Sequence, residues 1–125
     1  MMNKQTVFVC DDDAGIVDVV KIVLEEAGYN VVVSGDSTTA VETIRKLQPD
    51  LVLLDLWMPG LGGEQIIPKI KKSKKLQSIP VIVISASKDT REVAERAGAD
   101  GFLFKPFDIS DLENTVKHHI SLARR

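Results

Sequence analysis

Val7-Phe8-Val9-Cys10 runs directly into Asp11-Asp12-Asp13, and further on Leu51-Val52-Leu53-Leu54 ends on Asp55. Short apolar runs closed by a carboxylate read as buried strands that deliver charge to the edge of a sheet. Crowded carboxylates repel at neutral pH unless a cation or a proton is shared between them. Two strands bringing carboxylates to one edge therefore suggest a hard-metal site with a spare nucleophilic oxygen. Phosphoryl transfer to an aspartate needs that combination.

Outward from these runs the pattern alternates. After the acidic triplet, Ile16, Val19, Val20, Val23, Leu24 and Ala27 trace one helical face, closed by Gly28. Residues 30–33 form the next strand, and Ser37 or Thr38 caps a helix carrying Ala40, Val41, Ile44 and Leu47, stopped by Pro49. A loop over 60–63 leads to a helix with Ile66, Ile67 and Ile70 on one side and Pro68 inside it. Residues 81–84 are a further all-apolar run, 90–97 a short helix ended by Gly98, and 101–104 a fifth strand entering Lys105-Pro106. Asp108 or Ser110 caps the last helix, with Ile109, Leu112, Val116 and Ile120 inward.

Five continuous apolar strands separated by helices predict a parallel sheet covered on both faces. Ligands of such folds bind beyond the carboxyl ends of the strands. Asp11 to Asp13, Asp55, Ser85 and Lys105 all fall there, so four of the five strands send a polar group to one edge. Chance supplies one or two such placements, and four make a site.

The chain as a whole fits this picture. With 125 residues it makes one domain with a real core. A net charge of −2 exerts no general pull on nucleic acid or acidic lipid. No apolar stretch approaches the roughly 20 residues of a bilayer span, and the N-terminus lacks the apolar segment of a signal peptide. The single Cys10 reads as a small core residue in a reducing compartment, which makes the cytoplasm the expected location. Lys69, Lys71, Lys72, Lys74 and Lys75 carry no interleaved aromatics and read as a solvated helix end and loop.

The combination Asp11-Asp12, Asp55-Leu56-Trp57-Met58-Pro59 with Gly63 beyond it, Ser85-Ala86 and Lys105-Pro106-Phe107 resembles a receiver domain of the two-component response regulators, of the chemotaxis-regulator type. The resemblance covers essentially the whole chain. It implies a flavodoxin-like (βα)5 three-layer sandwich with strand order 2-1-3-4-5 and a single receiver domain over 1–125. It also implies that Asp55 is the phosphoacceptor and that Mg²⁺ is held by Asp12, Asp55 and the backbone carbonyl of Trp57, with Asp11 acting partly through water. Lys105 would pair with Asp55 and then with a phosphoryl oxygen, and the Ser85 hydroxyl would donate to another. Trp57 either screens the phosphoryl group or is a partly exposed loop aromatic, and Asp13 either caps the first helix or joins the metal set.

The implied donor is a sensor histidine kinase or histidine phosphotransfer domain, and the implied reader a downstream effector domain or protein. No direct contact with nucleic acid or membrane is expected, and a homodimer formed on phosphorylation is one output open to it. Such a domain catalyses only its own phosphorylation and dephosphorylation. Output is expected through the face made by the fourth helix, fifth strand and fifth helix, with Ser85 and Phe102 as switch residues. Phe102 stands where the family often has Tyr, so packing alone is expected to drive its rearrangement. His118 and His119 lack ligand-type partners nearby.

Two other readings compete. Asp11 and Asp13 form an Asp-x-Asp like that of Mg²⁺-dependent haloacid-dehalogenase-type phosphatases, with Asp11 as nucleophile and Asp13 as general acid. Gly15 stands where that motif expects Thr or Val, and Asp55-x-x-Met-Pro would go unexplained. The other is a degenerate receiver that binds partners without phosphorylation. The intact set Asp12, Asp55, Ser85 and Lys105 argues against it.

Overall fold

The computed structural model describes residues 4–57, 62–86 and 91–123. In chain order they form β1 (Thr6–Cys10), α1 (Ala14–Glu26), β2 (Asn30–Ser34), a 3-10 turn (Ser37–Thr39), α2 (Ala40–Leu47), β3 (Leu51–Asp55), α3 (Gly63–Lys71), β4 (Val81–Ser85), α4 (Arg91–Ala97), β5 (Gly101–Phe104) and α5 (Ile109–Ala123). The sheet is parallel throughout and ordered β2-β1-β3-β4-β5, as the resemblance implies. Met58, Pro59, Gly60 and Thr90 lie outside the described residues.

Alternation along the strands builds two cores. Phe8, Cys10, Val52, Leu54 and Val83 face α2, α3 and α4, while Val7, Val9, Leu51, Leu53 and Ile84 face α1 and α5. Both faces of β3 are therefore buried, which is why its sequence is apolar without interruption. Cys10 lies in the first of these cores, where burial, reinforced by the Asp11 charge, pushes its thiol up to about 12.

Several helix boundaries and faces differ from the sequence reading. Asp36, not Ser37 or Thr38, accepts the Thr38 N–H at 2.9 Å and starts the 3-10 turn ahead of α2. Three adjacent residues offer a capping oxygen here, and backbone direction, rather than residue type, selects among them. α3 begins at Gly63 inside the expected loop, with the Gln65 carboxamide accepting the Gly62 N–H at 3.1 Å, and runs through Pro68 to Lys71. Val19 is 51% exposed and Ile109 57% exposed, although the pattern places Val19 on the apolar face of its helix and Ile109 inward. Periodicity fixes the direction of a face but not how far the layer beneath it extends.

Candidate functional site

Each site residue reaches the carboxyl edge because the sheet's ladder runs on past the strand ends. Asp11 N–H donates to Ser34 O at 3.1 Å, Leu56 N–H to Ile84 O at 3.3 Å, and Lys105 N–H to Ser85 O at 2.8 Å. Asp11, Asp55 and Ser85 are buried, and Asp12 is exposed at the mouth. One carboxylate oxygen from each of Asp11, Asp12 and Asp55 lies within 4.8 Å of the others. Lys105 ends beside them, 3.1 Å from Asp11 Oδ2 and 3.8 Å from Asp55 Oδ2. The Lys105–Pro106 peptide is cis.

Hydrogen bonding separates the three residues of the acidic run. Asp13 turns away, its Oδ1 accepting Gly15 N–H at 3.0 Å and Ile16 N–H at 3.3 Å as the N-cap of α1. That resolves its two readings in favour of the cap and leaves no general acid for the phosphatase reading. Asp11 Oδ1 accepts Asp13 N–H at 2.9 Å, but no hydrogen bond reaches the buried Asp11 Oδ2. Lys105 attracts that oxygen across 3.1 Å by charge without being aligned to donate.

Asp55 sits at the end of β3 with Oδ1 accepting Trp57 N–H at 3.2 Å. Burial pushes its carboxyl up to about 6, and the neighbouring Asp11 charge pushes the same way against Lys105 and the Trp57 N–H. Gly63 holds the segment after Asp55. Its N–H donates to Leu56 O at 3.0 Å, and a Cβ there would meet Leu56 Cδ1 at 3.0 Å and Cα at 3.1 Å. The Trp57 side chain is 54% exposed, agreeing with its reading as a partly exposed loop aromatic.

A hard divalent cation fits this donor set. Mg²⁺ takes oxygen ligands, few of them protein carboxylates, and the buried Asp11 Oδ2, which faces the Lys105 charge but accepts no hydrogen bond, has lone pairs to offer.

Residues 7–117 match the response regulator receiver domain family. The chain belongs to that family. The receiver is 35% identical over 116 residues to the DNA-binding response regulator MtrA of Mycobacterium tuberculosis, covering 91% of this chain and 50% of that one. It thus spans about half the length of the curated relatives it matches. Among solved structures, the receiver domain of the sensor histidine kinase PA1611 from Pseudomonas aeruginosa, with magnesium in its active-site cleft, superposes with a TM-score of 0.88 at 25% identity, covering 95% of this chain and 99% of that one. NtrX from Brucella abortus gives 0.88 at 29% identity over 98% of this chain and 28% of that one. This is a receiver domain of two-component response regulators, its acidic cluster suits a Mg²⁺-dependent phosphoacceptor site, and the phosphatase alternative finds no support.

The sequence missed two features of the receiver, one on the α4–β5 face and one at the end of the sheet away from the acidic site. Arg91 of α4 lies over the Phe102 ring, its guanidinium carbon 5.2 Å from the centroid, so Phe102 is held by more than packing. Lys71, assigned to the solvated basic cluster, is tied into the fold. Its ammonium lies 2.6 Å from Asp100 Oδ2 and donates to Ile79 O at 2.9 Å, whereas Lys69, Lys72, Lys74 and Lys75 are exposed as expected. Of the histidines, His118 is exposed and His119 half-buried against backbone carbonyls of Thr115 and Asp100. Among the described residues no helix is long and apolar enough to cross a membrane.

Proposed function

We propose that Asp55 accepts a phosphoryl group from a histidine of a sensor kinase or phosphotransfer protein, and that residues 1–125 act as one cytoplasmic receiver unit signalling to a downstream effector. The observation that carries this reading is the pairing of a strand-end carboxylate with two further carboxylates and one lysine, one carboxylate oxygen being left without a hydrogen bond. Asp55 supplies the nucleophilic oxygen; its carboxylate is oriented by the Trp57 N–H, and the backbone just after it is tied to β4 by the Leu56 N–H to Ile84 O. Lys105 faces that oxygen and offers a point charge to the incoming phosphoryl group. Ser85, buried at the end of the adjacent strand, offers a hydroxyl to a second phosphoryl oxygen. Asp11, Asp12, Asp55 and the Trp57 carbonyl would hold Mg²⁺, which when bound neutralises charge on the transferring group. Beyond its own phosphorylation and dephosphorylation the domain turns over no substrate in this reading.

A phosphoryl group adds about −1.5 to −2 charges and three strong acceptors beside Asp55. Ser85 and Lys105 are the groups placed to follow them, and both lead into the α4–β5–α5 face, where Phe102 stands earlier on β5 opposite Val83. The reading involves no direct contact with nucleic acid or membrane, and self-association on phosphorylation is one form its output takes.

Acetyl phosphate with Mg²⁺ should add one phosphoryl mass to the wild-type chain and none to Asp55→Asn, measured by intact mass. An adduct of undiminished yield on Asp55→Asn would remove the assignment.

A further inference from the structure

Among the described residues, α4 is the helix with the fewest fully buried side chains, with Val93 and Ala97 half-buried against the core. Ala94 is the one buried residue described in it, against three in α1, two in α2, four in α3 and three in α5. An element with so little buried surface opens at low cost. Arg91 adds a contact of its own between α4 and the sheet. The guanidinium carbon stands 5.2 Å from the Phe102 centroid, and Glu95, one turn on, takes Arg91 Nε at 3.1 Å and orients the group. Phe102 in turn lies nearly parallel to Phe104, at 9° and 6.4 Å between centroids. Phe104 is the register partner of Ser85, and the next residue, Lys105, donates its N–H to Ser85 O. A continuous line of contact thus joins the start of α4 to two groups of the acidic site. Phe102 has no hydroxyl, so a cation over the ring face gives it a polar hold.

We propose that Arg91 clamps α4 to β5 through the Phe102 ring and so sets how readily the domain responds to a phosphoryl group on Asp55. The proposal rests on the phosphoacceptor reading above. The clamp is made in the arrangement where the Asp55 oxygens face the Trp57 N–H and Lys105. Drawing Ser85 and Lys105 toward a phosphoryl group shifts Phe104 and Phe102 beneath the guanidinium and breaks the alignment. A contact confined to the starting arrangement opposes the change by its whole free energy. The Arg91 side chain is 60% exposed, which puts the contact at the weak end of cation–π interactions, roughly a 2- to 5-fold bias in the equilibrium.

The test is a titration of the full chain with beryllofluoride at fixed Mg²⁺, read by the fluorescence of Trp57, the single tryptophan. Arg91→Ala should lower the midpoint by roughly 2- to 5-fold, and Arg91→Lys, which keeps a cation there, should stay near wild type. In a Phe102→Leu background, which keeps the bulk but removes the ring face, Arg91→Ala should have no further effect. Without beryllofluoride, Arg91→Ala should also speed amide exchange in α4. Equal effects of Arg91→Ala in both backgrounds, or unchanged α4 exchange, overturns the clamp. A wild type that gives no fluorescence or exchange response to beryllofluoride overturns the phosphoacceptor reading instead, and the regulatory role of Arg91 falls with it.

Discussion

The two ends of the same sheet treat charge in opposite ways. At the end where strands begin, the carboxylates of Asp50 and Asp100 are both tied into the fold. Asp50 Oδ2 accepts Thr6 N–H at 2.7 Å, and Asp100 Oδ2 accepts Val81 N–H at 2.8 Å while pairing with Lys71. Lys71 goes on to donate to Ile79 O and Gln77 O. At the end where strands finish, Asp11 Oδ2 has no hydrogen bond, and one lysine is stretched across two carboxylates at 3.1 and 3.8 Å. Asp and Lys serve at both ends. What differs is whether their bonding capacity is used up within the fold, which stabilises, or left over for a ligand, which costs stability and gives chemistry.

Breaking the satisfied end should have the larger effect. Lys71→Met keeps the aliphatic stem but leaves Asp100 with one donor fewer and two loop carbonyls without one. The pair is only partly exposed, at 20% and 39%, so a loss of about 2 kcal/mol is expected after allowing for solvent screening. Urea unfolding would measure it. A Lys71→Met chain as stable as wild type would mean that the two ends do not differ as their hydrogen bonds indicate.

At the unsatisfied end the sign should reverse. The folded-state pKa of Asp55 is raised to about 6 from an ordinary 3.8, so between those values the folded chain binds more protons than the unfolded one. Its contribution to stability is present in full below about 3.8 and is lost as pH rises through about 6. Asp55→Asn should therefore stabilise the fold at neutral pH, by about 1 kcal/mol once screening on the open side of the site is allowed for. The gain should shrink as pH falls from 7 to 4, followed by urea midpoints at each pH. A gain that is flat with pH would show that the Asp55 charge is not what strains the site.

The contrast also marks what the sequence made legible. Asp11, Asp55, Ser85 and Lys105 were readable because each closes an apolar run, and strands that all run in one direction bring their carboxyl ends to one edge. Asp13 was open between metal and cap, since either role suits an acidic residue before a helix, and only the direction of its side chain decides. The Lys71–Asp100 pair and the Arg91 contact with Phe102 were not readable at all. Each joins residues from different elements, and their meeting depends on how α3 and α4 sit over the sheet, which no local period encodes. Exposure of Val19 and Ile109 escaped for the same reason.

Filling the unsatisfied end should narrow the difference between the two, and this is the smallest effect expected. Mg²⁺ supplied at about three times its dissociation constant stabilises the folded state by roughly 0.8 kcal/mol. For a domain of 125 residues that is a rise in Tm of about 3 °C. Asp12 is the exposed member of the carboxylate trio, so Asp12→Ala removes a ligand while leaving the buried core untouched. The rise should disappear in Asp12→Ala and diminish at pH 5, where Asp55 is largely protonated and the trio loses a charge. Thermal melts with Mg²⁺ and with chelator, at both pH values, would check this. If Asp12→Ala gains as much from Mg²⁺ as the wild type, the cation binds elsewhere, and the unbonded oxygen of Asp11 needs another explanation.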